Sequence, residues 1–210
     1  MGWQGFSVSE WETATLGSIA NLTIGRTPPR GEAQWWTTDL ERPFCTIADM
    51  GPMSVRPTRE GVTEHAEQAG KAKRFPAGTL MMSFKLSIGK VGFAAVDVFP
   101  NEAIVGIDVH DPRVDVRYLA HFLGSQDLTR AAGEAVKGKT LNGTTLRAIV
   151  VSIPPMDVQR ALVAAIDQMD QLRDALYAEA ASLTCVKSRT IRDVLNRTLN
   201  VNGDASGRVL

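Results

Sequence analysis

The chain has 210 residues, 44% of them hydrophobic and 22% charged, which supplies the core of one folded domain with an appendage and excludes a disordered chain. Its longest apolar runs, such as Phe93-Ala94-Ala95-Val96 and Ala148-Ile149-Val150-Val151, fall far short of the roughly 20 residues a membrane span needs. Two cysteines, Cys45 and Cys185, exclude a disulfide scaffold and a cysteine-based zinc site, and 23 basic against 23 acidic residues exclude a global pull towards nucleic acid.

The opening MGWQGFSVSEWE shows no basic start followed by an apolar stretch, so a soluble, reduced, cytoplasmic protein is expected. Along the chain, Leu16 to Leu22 (LGSIANL) reads as one or two helical turns, ended by Gly25 and Pro28-Pro29. Phe44 to Ala48 reads as a strand entering a turn at Asp49-Met50-Gly51-Pro52. Thr79 to Phe84 and Ile88 to Val96 read as strands joined tightly near Lys85-Leu86-Ser87, and Ala103 to Val109 as another strand. Helical spacing runs from Val116 to Val136, with Tyr118, Leu119, Phe122, Leu123 and Leu128 on one face. Arg147 to Ile153 closes the region as a strand. Strands and helices mix without βαβ alternation, so the expected class is α+β. Charge is uneven locally: Lys71, Lys73, Arg74, Lys85 and Lys90 span a stretch with no acid, and Arg130, Lys137, Lys139 and Arg147 face Glu134 alone.

After Pro154-Pro155 the texture changes. Met156 to Leu199 contains neither Gly nor Pro, which predicts one long helix with Asp157 as its N-cap. Leu162, Ile166, Met169, Leu176, Ala180, Leu183 and Val194 step by three and four, with Leu172, Val186, Ile191 and Leu195 broadening the stripe. That is the coiled-coil period, interrupted by Arg173, Lys187 and Thr190. At 1.5 Å per residue such a helix extends roughly 60 Å, more than a domain of this size needs, so it is expected to meet a partner. The expected organisation is a globular domain over 1–153, the helix over 154–200 and a frayed tail over 201–210.

Residues 133–140, GEAVKGKT, match the phosphate-loop pattern G-x-x-x-x-G-K-[ST] letter for letter. A working phosphate loop follows a strand and opens a helix. Here the expected order is helix, loop, strand, so the match is read as accidental. His65, His110 and His121 stand apart, no metal-ligand spacing occurs, and no G-x-S-x-G elbow is present. Asp108 and Asp111 fit a turn before Pro112. No catalytic residue, metal site or cofactor is expected.

The order of segments resembles a known family. LGSIANLTIGRTP, WW, FCTIADM, PAGTLMMSFKLSIGKVGF, NEAIVGI, YLAHFL, the glycine-lysine loop and IPPMDVQRALVAAIDQMD follow one another as in specificity subunits of type I restriction–modification systems. The most specific parts are Ser83–Phe93 (SFKLSIGKVGF) and Ile153–Arg160 (IPPMDVQR). Such subunits typically carry two recognition domains and two helical regions; this chain resembles half of one. The resemblance implies a non-catalytic reader of a few base pairs, with double-stranded DNA, methyltransferase subunits and, through the complex, a motor subunit as partners. It makes Arg26, Thr27, Arg30, Lys71, Lys73, Arg74, Lys85, Lys90, Lys137, Lys139, Thr140 and Asn142 candidate DNA contacts. Trp35 and Trp36 are expected to pack. Leu162, Ile166, Met169, Leu172, Leu176, Leu183 and Val186 would face a second copy or the methyltransferase. The alternative left open is a coiled-coil protein that regulates or mimics a restriction complex by binding protein.

Overall fold

The computed structural model describes residues 11–51, 53–57, 59–128 and 141–203, with side chains to residue 196. They fall into two units, Met1–Val163 and Ala164–Leu210. In chain order the first unit holds β1 (Glu12–Thr15), α1 (Leu16–Ile19), β2 (Ala20–Ile24), β3 (Trp36–Thr37), β4 (Phe44–Cys45), β5 (Met53–Val55), β6 (Gly61–Val62), α2 (Glu64–Gln68), β7 (Leu80–Ser83), β8 (Val91–Ala94), β9 (Phe99–Pro100), β10 (Ile104–Val109), α3 (Val116–Ser125), α4 (Gly143–Arg147) and β11 (Val150–Ile153). The last helix, α5 (Met156–Gly203), starts there and makes up the described part of the second unit.

The centre is a five-stranded sheet in the order β2-β10-β7-β8-β5, antiparallel except where β5 runs parallel to β8. All four residues of β7 are buried, which explains why LMMS is a continuous run rather than an alternating one. One sheet face, through Leu80, Met82, Val105 and Ile107, packs on Leu16, Ile19, Leu119, Leu123 and Val151. The other, through Met81 and Ile104, packs on Cys45, Met50, Val55, Phe75 and Val98. A third cluster around Trp35, Phe44, Val62 and Phe99 is held by the short pairs β3–β6 and β4–β9.

Several expected boundaries move, each for a local reason. Only Leu16–Ile19 of LGSIANL is helical; from Ala20 the chain pairs with β10 as a strand. The strand expected to reach Ala48 stops at Cys45, because Asp49 accepts hydrogen bonds from the Thr46 amide (2.8 Å) and hydroxyl (2.6 Å) and winds a 3-10 turn. The helix expected to reach Val136 ends at Ser125, with Gln126 extended at ψ 141° after Gly124-Ser125; residues 129–136 lie outside those described. Asn142-Gly143, in the stretch expected as a loop leading into a strand, is the start of α4: Asn142 Oδ1 accepts from the amides of Thr144 and Thr145, both at 2.9 Å. The final strand therefore begins at Val150, not Arg147. Asp157 is not the cap of α5 but lies inside its first turn, where its charge favours the helix dipole.

The root of α5, Met156–Val163, is part of the first unit and is held within it by several contacts. β1 pairs antiparallel with β11, from Glu12↔Ile153 to Thr15↔Val150. Tyr118 donates its hydroxyl to Ser152 O at 2.8 Å. Gln159 is fully buried, and its amide bridges three backbone groups: Oε1 accepts from Asp115 N (2.8 Å), and Nε2 donates to Arg113 O and Pro154 O (both 2.7 Å). Val158 and Val163 are buried beside it in the sequence.

Candidate nucleic-acid interface

At one end of the central sheet β2 leaves, β7 turns into β8, and β10 begins. β2 exits through Gly25, whose amide donates to Ile104 O (3.0 Å). A Cβ there would lie 2.3 Å from the carbonyl oxygens of Pro100 and Asn101, so only glycine lets the strand pass this close. The exit fixes the next residues. Arg26 donates through its backbone to Pro100 O (2.8 Å) and through Nη1 to Gly70 O (2.5 Å). The Thr27 hydroxyl donates to Glu102. Arg30 forms a bidentate pair with Glu60 (2.7 and 2.9 Å) and lies 3.8 Å from the centroid of the Trp36 ring.

Glu102 accepts from Thr27 and lies within reach of the Lys85 and Arg30 charges. The Thr27 hydrogen bond, more than the neighbouring Lys85 and Arg30 charges, holds that carboxyl below its ordinary value. Lys85 Nζ sits 5.4 Å from the Phe84 ring, and Lys90 Nζ donates to Ile47 O (3.1 Å). Both lysines belong to the β7–β8 hairpin, whose base is locked by the buried Ser83. Its hydroxyl donates to Ser87 O and accepts from Lys90 N (3.0 Å), while Gly89 N donates to Ser83 O (2.9 Å). The tip takes two left-handed residues, Gly89 at φ 87° and Leu86 at φ 61°. For leucine that conformation costs on the order of 1 kcal/mol.

Lys137, Lys139 and Thr140 lie outside the described residues. Their flanks are placed: Leu128 and Leu141 are both buried, and Leu141 N donates to Phe84 O (3.0 Å) at the hairpin base. Asn142 follows directly, its Oδ1 occupied in capping α4. The remaining candidates stand elsewhere. Lys71, Lys73 and Arg74 follow α2; Arg74 pairs with Asp97 (3.4 Å), and Lys73 and Arg74 line a groove of about 640 Å³ with Phe75, Thr79 and Asp108. The structure thus gathers Arg26, Thr27, Arg30, Lys85 and Lys90 at one sheet end, with Asn142 close to the same hairpin, and sets Lys73 and Arg74 along the groove. Sequence reading missed Glu60, which holds Arg30, and Glu102, which holds Thr27, for which no spacing signal exists, and the exposed Leu86.

The titratable groups elsewhere do structural work. Burial, reinforced by Asp49, pushes the Cys45 thiol up to about 12, so it is no nucleophile. Hydrogen bonds from the Arg113 side chain and backbone hold Asp111 down to about 2. His65 stacks on Trp35 at 4.8 Å, and Trp36 meets Phe44 edge-on, so both tryptophans pack. Among the described residues, no group of three or more His, Cys, Asp or Glu could hold a metal, and no helix is long and apolar enough to cross a membrane.

On α5, Met169, Leu172, Leu176, Leu183 and Val186 are all exposed, as are Val194 and Leu195 further on, while Leu162 and Ile166 are half-buried. Arg173, on the same seam, is held by Asp170 (2.5 Å) and Asp174 (2.9 Å).

A cationic strand-end surface and a long helix with an uncovered apolar stripe define a binding module. The chain belongs to the family of type I restriction modification DNA specificity domains, which matches residues 8–181. It is 27% identical over 180 residues to a type I restriction enzyme specificity subunit of Escherichia coli, covering 81% of this chain and 44% of that one. A specificity subunit of Methanocaldococcus jannaschii is 22% identical over 169 residues, covering 78% and 38%. Among solved structures, a chain from a study of complex assembly in a type I R-M system superposes with TM-score 0.69 at 18% identity, covering 94% of this chain and 47% of that one. The HsdS subunit of Thermoanaerobacter tengcongensis gives 0.61 at 19%, covering 83% and 41%. The chain therefore spans less than half the length of these relatives. The α+β class with one long helix, and the resemblance carried by SFKLSIGKVGF and IPPMDVQR, both stand.

Proposed function

We propose that the chain is the non-catalytic sequence-reading component of a type I restriction–modification complex, contacting DNA through the strand-end surface and joining partners through α5. The observation that carries this is the convergence of Arg26, Thr27, Arg30, Lys85 and Lys90 at one end of the sheet in a chain of zero net charge. Such side chains anchor phosphates and set register, while polar loop residues read base edges. Lys137, Lys139 and Thr140 extend the same surface in this reading, and Lys71, Lys73 and Arg74 form a second line of phosphate contacts. The globular part over 1–153 recognises DNA, and the helix over 154–200 docks methyltransferase subunits, through which a motor subunit is engaged. No cofactor is required.

One recognition domain distinguishes few base pairs, each worth about 1–3 kcal/mol. Two copies paired antiparallel through Leu162, Ile166, Met169, Leu172, Leu176, Leu183 and Val186 would double the reading about a two-fold axis. The target is then an interrupted palindrome with half-site centres about one to two duplex turns apart, each roughly 34 Å. Selection from a random duplex pool, with and without a methyltransferase partner, tests this. Lys85→Ala and Lys90→Ala are each expected to weaken binding and to make the slope of log affinity against log salt shallower by about one. An unchanged slope for both, or an asymmetric single-block target, refutes the corresponding half of the reading.

A further inference from the structure

We propose that Leu86 is a wedge which the β7–β8 hairpin drives between two stacked base pairs of the bound duplex. This rests on the DNA-reading function above and adds a residue that deforms the duplex rather than gripping or reading it. Leu86 is 76% exposed, more than any residue of the helix stripe, where Tyr177 reaches 70%. Packing against the described residues therefore does not explain a leucine at this position. Its backbone sits at φ 61°, a conformation that leucine disfavours and glycine adopts freely. Glycine, used at the same tip at position 89, would make the turn without strain. A large apolar side chain kept at a strained, solvent-facing tip points to a role outside the fold.

The surroundings suit insertion. The tip cannot swing freely, because Ser83 bridges both sides of the hairpin, Phe84 N donates to Ala103 O (2.9 Å) and Leu141 N to Phe84 O (3.0 Å). A wedge held rigid before binding loses little freedom on insertion. The choice of partner follows from the neighbours. Lys85 precedes the leucine and Lys90 stands at the base of the same hairpin, and lysine is depleted from the cores of protein–protein interfaces. Proteins that kink DNA set leucine, phenylalanine or methionine between base steps while cations hold the phosphates on either side.

The test uses the full chain and the duplex it selects from a random pool, with 2-aminopurine walked through every position. Wild-type protein is expected to raise the fluorescence at one step per half-site, reporting an unstacked base. Leu86→Ala should abolish that rise and weaken binding by at least about tenfold. Leu86→Phe should keep the rise. Leu86→Gly should lose it while unfolding at a higher temperature than wild type, which separates the wedge from the stability of the hairpin. The salt slope should stay unchanged in all three, because no phosphate contact is removed. The proposal is overturned if wild-type protein leaves every position stacked, or if Leu86→Ala binds the duplex as wild type does. It is equally overturned if Leu86→Ala binds DNA normally but no longer retains a methyltransferase partner, since the leucine is then a protein contact. If wild-type protein selects no duplex at all, the DNA-reading function falls first, before any Leu86 variant is made.

Discussion

Replacing Gln159 by alanine removes the amide that joins the root of α5 to the loop before α3 and to Pro154. Three hydrogen bonds are lost, to Asp115 N, Arg113 O and Pro154 O, around a fully buried side chain. At about 1 kcal/mol net for each, plus the cost of leaving buried partners unsatisfied, the loss should be about 3–4 kcal/mol, a large share of a small domain's stability. Urea denaturation of wild type and variant measures it directly, and an unchanged slope with denaturant would show that the native state is otherwise intact. Gln159→Glu gives the sharper control. It keeps the acceptor for Asp115 N but turns a carboxylate towards two carbonyl oxygens, so its folded pKa must rise above the ordinary glutamate value of about 4.3. The folded state then binds more protons than the unfolded one, and the variant should be most stable below that value and lose stability as pH rises through the folded pKa. A loss under about 1 kcal/mol for Gln159→Ala, or a Gln159→Glu variant whose stability relative to wild type ignores pH, would refute the three-bond account.

Gly25→Ala should destabilise the first unit by about 3 kcal/mol and weaken DNA binding together, because its Cβ would overlap two carbonyl oxygens beside Arg26 and Thr27; thermal melting and gel shift check the pair. Asp49 is a depressed acid: burial alone would raise it, but hydrogen bonds from Thr46 and Arg59 prevail. Its contribution is therefore present above the ordinary value of 3.8 and lost as pH falls through the lower folded value, so Asp49→Asn should cost about 1–2 kcal/mol at neutral pH and progressively less in acid. Leu176→Asp, at a position 57% exposed, should abolish self-association in light scattering while leaving the melting of the first unit unchanged; a wild-type protein that is already monomeric would refute the pairing.

The long helix and the central strands were legible because period and apolar run length are local properties, as in the seam from Leu162 to Val194 and the run TLMMSF. The cations at the sheet end were legible as residues but not as a group. Arg26 and Lys85 are far apart in the sequence, and only the β2-β10-β7-β8 order brings them to one edge. Short pairs such as β3–β6 could not be read, since two residues carry no periodicity. The caps at Thr46 and Asn142 fall where a strand and a loop are expected, because the same side chains serve both and the deciding partner, a nearby amide, is fixed only by the fold. Gln159 lies in the motif IPPMDVQR, but its clamping role is not legible there, since its partners Asp115, Arg113 and Pro154 are set by the fold.

The pairing of β1 with β11 bears on how such a protein can change. The strand at Glu12–Thr15 and the strand at Val150–Ile153 lie side by side, so everything folded between them enters and leaves through one doorway. A domain whose ends adjoin behaves as a cassette: it can be exchanged, or repeated along a longer chain, without re-routing the polypeptide. The seat beneath it, Gln159 and the first turns of α5, belongs to the helix side of that doorway. Recombination at the β1–β11 ladder would thus replace the sheet-end surface wholesale while leaving α5 as it was.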